Sequence, residues 1–260
     1  MANYHQLKAF TKHWLSVVDQ HSIHSPFFFD FYSKIIQNKT DSNRFREIEK
    51  LRTSLLANQS EIIIEDFGAG SQKLKGSKRK LADIASISLT PPKYARLYHH
   101  IIDYLEAKNV VELGTSLGLT SLYLAKNEQC LVTTFEGSHA VADVALTNFE
   151  YFDKKNIELI EGNIHYTLPE FVQNPAKINF VLMDAHHQYE PTIHYFDLMM
   201  RRLDEKSIVV LDDIHWSEEM EHAWNELRNS PLVYGSVDLF RCGILFFDPD
   251  LNRQHFVWSL

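Results

Sequence analysis

Val110-Val111-Glu112-Leu113-Gly114-Thr115-Ser116-Leu117-Gly118 is a short apolar run closed by an acid and then by two glycines four residues apart. The pattern predicts a strand that turns tightly into a helix. Gly114 and Gly118 let the backbone come close to a ligand, and the helix that follows offers N–H donors to it. Such a loop suits a nucleotide-like molecule, although it is also an ordinary α/β connection. Four further predicted strand ends carry polar groups: Glu136-Gly137, 22 residues beyond Gly114, then Gly162-Asn163, Asp184, and Asp212-Asp213. Ligands of open α/β sheets bind beyond the carboxyl ends of the strands, so these residues are candidates as a group. A carboxylate at the position of Glu136 accepts hydrogen bonds from vicinal ribose hydroxyls, or simply favours the start of the next helix. Ser116 and Thr120 depart from the dinucleotide fingerprint, which disfavours NAD.

The elements that must position these residues alternate strand and helix. Strands are predicted at Val110 to Leu113, Leu131 to Glu136, Ile157 to Glu161, Ile178 to Asp184 and Ser207 to Asp212, with a terminal antiparallel hairpin from Leu232 to Leu239 and Cys242 to Phe247. Between them, Val141, Val144, Ala145 and Phe149 share a helical face, as do Ile193, Phe196, Met200 and Leu203, and Trp216, Met220, Ala223 and Leu227. The pattern is that of an α/β fold with a Rossmann-like, seven-stranded, mostly parallel sheet.

Residues 1–90 read as an N-terminal helical extension or cap, and residues 91–260 as the ligand-binding domain. Leu7, Phe10, Trp14, Leu15 and Val18 fall on one face of a helix from about Tyr4 and are expected to be buried. Ser25-Pro26 starts a second, aromatic helix, and Ile48, Leu51 and Leu55 mark a third. Ile62 to Gly70 reads as another strand and glycine turn, followed by a polar run with Lys73, Lys75, Lys78, Arg79 and Lys80 that is a solvated loop or a cover for an anionic substrate. Pro91-Pro92 opens a helix through about Ala107.

Composition narrows the function. The chain of 260 residues is 45% hydrophobic with a formal net charge of −8, which fits a globular protein and argues against general affinity for nucleic acid. Charge is uneven: residues 1–108 hold 16 Lys/Arg against 11 Asp/Glu, and residues 109–260 hold 10 against 23. Neither a signal peptide nor a membrane span is supported, so a cytoplasmic protein is expected. Cys130 and Cys242 lack metal-binding spacing and read as buried thiols.

Together, Glu112-Leu-Gly114-Thr115-Ser116-Leu-Gly118, Glu136, Asn163, Asp184 and Asp212-Asp213 resemble class I S-adenosylmethionine (SAM)-dependent methyltransferases over roughly residues 90–247. Within that family, Val-Leu-Met-Asp184-Ala185-His186-His187-Gln-Tyr189 and Ile-Val-Val-Leu-Asp212-Asp213-Ile-His215-Trp216 are similar to metal-dependent small-molecule O-methyltransferases of the catechol, caffeoyl-CoA and macrolide-sugar types. The resemblance implies that Gly114, Thr115, Ser116 and Gly118 surround the methionine part of the cofactor, with Glu112 orienting the loop. It also implies that Glu136 and Gly137 meet the ribose, Asn163 and Ile164 the adenine, and Asp184 and Ala185 the cofactor. Asp184, Asp212 and Asp213 would converge on a divalent cation, Mg²⁺ by their hard oxygen donors. Three neighbouring carboxylates otherwise need protonation or a cationic partner. His187 would be the general base and Asp184 a second catalytic residue, with His186 or His215 as a substitute ligand or base; His194 and His222 read as structural. A methyl transfer needs an in-line acceptor oxygen, removal of its proton and exclusion of water.

The expected activity is methylation of a hydroxylated small molecule; an N-nucleophile stays open. A non-catalytic cofactor-binding protein and an NAD-dependent oxidoreductase are the alternatives, with nucleic-acid methylation supported only by the basic Lys73 to Lys80 run. A homodimer is compatible with the hairpin edge and the apolar N-terminal helices.

Overall fold

The computed structural model describes residues 4–38, 42–64 and 78–260. The predicted glycine turn to Gly70 and most of the basic run, through Lys75, lie outside the described residues. In chain order the elements are α1 (Tyr4–Ser16), α2 (Pro26–Phe31), α3 (Arg46–Ala57), β1 (Glu61–Ile63), β2 (Lys78–Lys80), α4 (Leu81–Ser88), α5 (Pro92–Tyr104), β3 (Asn109–Leu113), α6 (Leu119–Leu124), β4 (Leu131–Glu136), α7 (His139–Tyr151), β5 (Ile157–Glu161), α8 (Ile164–Phe171), β6 (Phe180–Met183), α9 (Tyr189–Met200), β7 (Ile208–Leu211), α10 (Glu218–Arg228), β8 (Gly235–Asp238), β9 (Gly243–Phe246) and β10 (Gln254–Val257). The fold is α/β and Rossmann-like, and strands β3 to β10 are mostly parallel. They number eight rather than the predicted seven. The chain divides into two compact units, one of Met1–Asn38 with Pro175–Leu260 and one of Lys39–Asn174, whereas the sequence suggested a division near residue 90.

In the unit of residues 39–174, β3, β4 and β5 run parallel in register, with Glu112 opposite Thr134 and Glu136 opposite Glu161. Val110, Val111, Leu113, Val132 and Phe135 are buried, as strands covered on both faces require. Ile48 and Leu55 of α3 pack with Ile84 of α4, Leu122 of α6 and Phe149 of α7 in one apolar cluster. Helix α4 was not anticipated, because only Leu81, Ile84 and Ala85 of its eight residues are buried and their stripe follows a polar run.

In the unit of residues 1–38 and 175–260, β6 and β7 pair in parallel, and the antiparallel hairpin β8–β9 lies against β7 through β9. The unpredicted strand is β10, which pairs parallel to β8 with only four residues, too few to show a period. Helix α2 begins at Pro26, whose fixed φ and missing N–H suit the first helical position. Its Phe28 and Phe31 rings meet Phe246 at 5.3 and 5.0 Å. Packing of this unit therefore accounts for the aromatic run. Gly235 makes room for it: a Cβ there would stand 2.3 Å from Phe28.

Two expectations fail here. On α1 the buried residues are Ala9 and His13, while Leu7 (60% exposed), Phe10, Trp14 (67%) and Leu15 face outward. His13 wins the inner position because its ring reaches Asp238 at 3.4 Å and packs edge-on to Phe240. On α10, Trp224 joins Met220, Ala223 and Leu227 inside, whereas Trp216 lies ahead of the helix and is exposed. The helix starts at Glu218 and is capped by Ser217, whose hydroxyl accepts from the Met220 N–H. Among the described residues no helix is long and apolar enough to cross a membrane.

Candidate active site

The glycine loop forms as its sequence requires. Gly114 (φ 102°), Ser116 (φ 48°) and Gly118 (φ 78°) all take positive φ, a region open to glycine and costly for other residues. At Gly118 a Cβ would also come within 2.6 Å of the Phe149 ring. Gly118 is thus fixed twice, by its turn and by close packing of α7 against the start of α6.

The Glu136 carboxylate holds this loop to the next strand end. It accepts the Ser116 N–H through Oε2 and the Ser138 N–H through Oε1, both at 2.9 Å. The Gly114 and Thr115 N–H groups both donate to the Phe135 carbonyl. Gly137 follows Glu136 and is half-buried. The Gly162 N–H donates to the Glu136 carbonyl at 2.8 Å, which ties in the third strand end. There Asn163 caps α8 by accepting the His165 N–H, and Ile164 is buried. Nine expected cofactor residues of this unit, Glu112, Gly114, Thr115, Ser116, Gly118, Glu136, Gly137, Asn163 and Ile164, therefore sit on three neighbouring strand ends.

Glu112 lies beneath the loop and is fully buried. The register that sets it opposite Thr134 brings the Thr134 hydroxyl to its Oε2 at 2.6 Å, and Ser121 of α6 donates to the same oxygen. Its Oε1 has no hydrogen-bond partner. Burial raises the Glu112 pKa to about 7 against the pull of its two hydroxyl donors, and the Glu136 charge adds to the rise. The Gly114, Thr115, Ser116 and Gly118 N–H groups are all bonded within the protein, so the group left for a ligand is the unpartnered Glu112 oxygen, which suits a hydrogen-bond donor such as an amine.

The unit of residues 1–38 and 175–260 holds the acids and the proposed base. After β6, Asp184 and Ala185 lead into His186 (φ 62°) and His187 (φ 43°), two consecutive left-handed residues without glycine. Such strain persists only where the surroundings enforce it. The bend turns His187 back so that its Nε2 lies 3.4 Å from Asp184 Oδ1. His186 instead packs edge-on to Tyr195. Beyond them, Tyr189, Glu190, Glu219 and His222 line an open cleft of about 500 Å³, and His222 stacks on Tyr189.

After β7, Asp212 is completely buried and is gripped by Arg241, whose Nε and Nη2 reach its carboxylate at 3.1 and 2.7 Å. Asp213 (φ 53°) lies 3.6 Å from the same guanidinium. Burial and the Asp212 charge raise the Asp213 pKa against the attraction of Arg241 and His187. Burial alone would lower the Arg241 pKa, but Asp212 and Asp213 outweigh it and raise it. The three aspartates expected to surround a cation therefore do not make a ligand set: a guanidinium covers Asp212. Among the described residues no group of three His, Cys, Asp or Glu side chains is arranged to hold a metal ion. His215 is engaged elsewhere, with Nε2 at 2.9 Å from Asp238.

Arg241 was missed in the sequence, although its signal was present. It sits in the connection between β8 and β9, and β9 pairs antiparallel to β7 with Gly243 opposite Leu211. Two residues back along β9 and one forward along β7 bring Arg241 to Asp212. The hairpin was legible, but its register was not.

Residues 111–214 match the model of a family described as a methyltransferase domain. No curated protein matches the sequence. Among solved structures, a methyltransferase of Podospora anserina bound to S-adenosylhomocysteine (SAH) is similar with a TM-score of 0.60 at 11% identity, over 90% of this chain and 99% of that one. An O-methyltransferase of Bacillus cereus in complex with SAH gives 0.57 at 14% identity, over 84% and 96%. The O-methyltransferase TomG of Streptomyces achromogenes, in complex with SAM, gives 0.54 at 17%, over 62% and 82%. Residues 111–214 thus resemble a methyltransferase domain, and the chain shares the Rossmann-like fold of these solved methyltransferases.

Proposed function

We propose that the protein is a SAM-dependent methyltransferase acting on a hydroxyl oxygen of a small molecule. The observation that carries the reading is the Gly114 to Gly118 loop, bent by three positive-φ residues and held by Glu136 above the orphaned oxygen of Glu112. In this reading the backbone of Gly114, Thr115, Ser116 and Gly118, with Glu112, holds the amino-acid part of the cofactor. Glu136 and Gly137 take the ribose, and Asn163 and Ile164 the adenine. The bound cofactor supplies an electrophilic methyl group. That solved structures with this fold are complexed with SAM or SAH supports SAM as the cofactor.

The protein's own part is to hold the acceptor in line, keep water out and remove a proton. His187 is the base: its Nε2 is paired with Asp184, which orients the ring and stabilises the imidazolium formed when the acceptor's proton arrives. Because the aspartate set does not fit a divalent cation, no step is assigned to Mg²⁺. The open, Glu-lined cleft beside Tyr189 favours a neutral or cationic acceptor over an anionic one.

The test is calorimetric titration of the full chain with SAH, in Mg²⁺ and again in EDTA, followed by a screen of hydroxylated acceptors with labelled SAM. Saturable SAH binding in both buffers is expected. Absence of SAH binding together with tight NADH binding would replace this reading with the oxidoreductase one.

A further inference from the structure

We propose that Arg241 is the resident cation of the Asp184, Asp212 and Asp213 cluster, doing electrostatically what a bound divalent ion would otherwise do, so that the site works without a metal. Three aspartates within one strand-end cluster repel one another and demand a positive charge among them. The guanidinium meets that demand with a paired contact to Asp212, the carboxylate with no exposed surface, and a longer one to Asp213. Asp184 adds to the attraction from the β6 side.

The backbone builds this arrangement in. Ile214 N–H donates to the Arg241 carbonyl at 3.1 Å, and Leu239 N–H to the Cys242 carbonyl at 2.9 Å, so the turn bearing Arg241 is bonded directly to the segment bearing the two aspartates. Phe240, next to Arg241, takes a left-handed φ of 67° to make that turn. A divalent cation could use Asp212 only by displacing a planar donor pair already matched to the carboxylate's geometry.

The inference rests on the methyltransferase reading for one consequence, the acceptor class. A metal selects acceptors with two adjacent oxygens because they chelate it. A guanidinium fixed on protein carboxylates imposes no such requirement, so an acceptor with a single hydroxyl suffices.

The experiment is titration of the full chain with Mn²⁺, free ion being read by electron paramagnetic resonance, for wild type, Arg241→Ala and the double variant Arg241→Ala with Asp212→Asn. Wild type should bind no stoichiometric Mn²⁺. Arg241→Ala should bind one ion per chain, at least about tenfold above any residual wild-type binding, and the double variant should lose it again. Arg241→Gln, which keeps a donor for Asp212 without the charge, is read in the same way if the alanine variant does not fold. Stoichiometric Mn²⁺ binding by wild type that Asp213→Asn abolishes overturns the proposal, as does a folded charge-deletion variant that gains no binding. SAH binding measured on the same wild-type sample separates the two claims: its loss refutes the methyltransferase reading whatever the Mn²⁺ result.

Discussion

Replacing Glu112 by glutamine should remove a pH dependence of stability that the buried carboxyl creates. Its pKa is raised from 4.5 to about 7 by burial. Between those values the folded chain keeps a proton that the unfolded chain has released, so stability falls as pH rises through the window. At about 1.4 kcal/mol per pH unit, the loss from this one group is about 3 kcal/mol. Glutamine cannot ionise, and it still offers an oxygen to Ser121 and Thr134, the two donors now on Oε2. Urea unfolding of wild type and Glu112→Gln at about pH 5 and about pH 8 tests this, with the variant gaining relative to wild type at the higher pH. With a denaturant slope of about 3 kcal/mol per molar, the difference between their midpoints should change by about 1 M between the two conditions. A difference that stays constant with pH, or moves the other way, would refute the account of Glu112 as a buried acid kept neutral by desolvation.

Three further outcomes follow from the geometry. Arg241→Met leaves the Asp212 carboxylate buried without its partner and should cost about 3 kcal/mol in thermal or chemical unfolding; adding Asp212→Asn should recover most of it. Gly118→Ala forces a side chain into φ 78° and against Phe149, so it should cost at least about 1 kcal/mol in unfolding and weaken SAH binding in calorimetry, while Gly118→Ser should do no better. Once an acceptor is known, His187→Ala should lower kcat by about 10² to 10⁴ with little change in SAH affinity, and an unchanged kcat would remove His187 from the role of base.

The local pattern of the chain reached far into the fold. Strands β4 and β5 fall at their predicted bounds because runs such as Leu131 to Glu136 and Ile157 to Glu161 end sharply at a helix start. Gly114 and Gly118 marked their own loop, since two of its three positive-φ positions carry the residue that takes this conformation at least cost. The acids at the strand ends were visible for the same reason: a parallel strand's last residue is fixed by the strand's length.

What tertiary structure alone decided are the partners of those acids. A repeating apolar face says that a helix packs, but not which of its faces; His13 rather than Leu7 or Trp14 turned inward on α1 because Asp238 and Phe240, more than 200 residues away, offered it partners. Likewise the sequence required a positive charge near Asp184, Asp212 and Asp213, and left a metal ion, a proton or a cationic side chain equally able to supply it. The antiparallel register of β9 on β7 made the choice by delivering Arg241 to Asp212. Registers between distant strands are set by the summed packing of both, so no window of the sequence contains them.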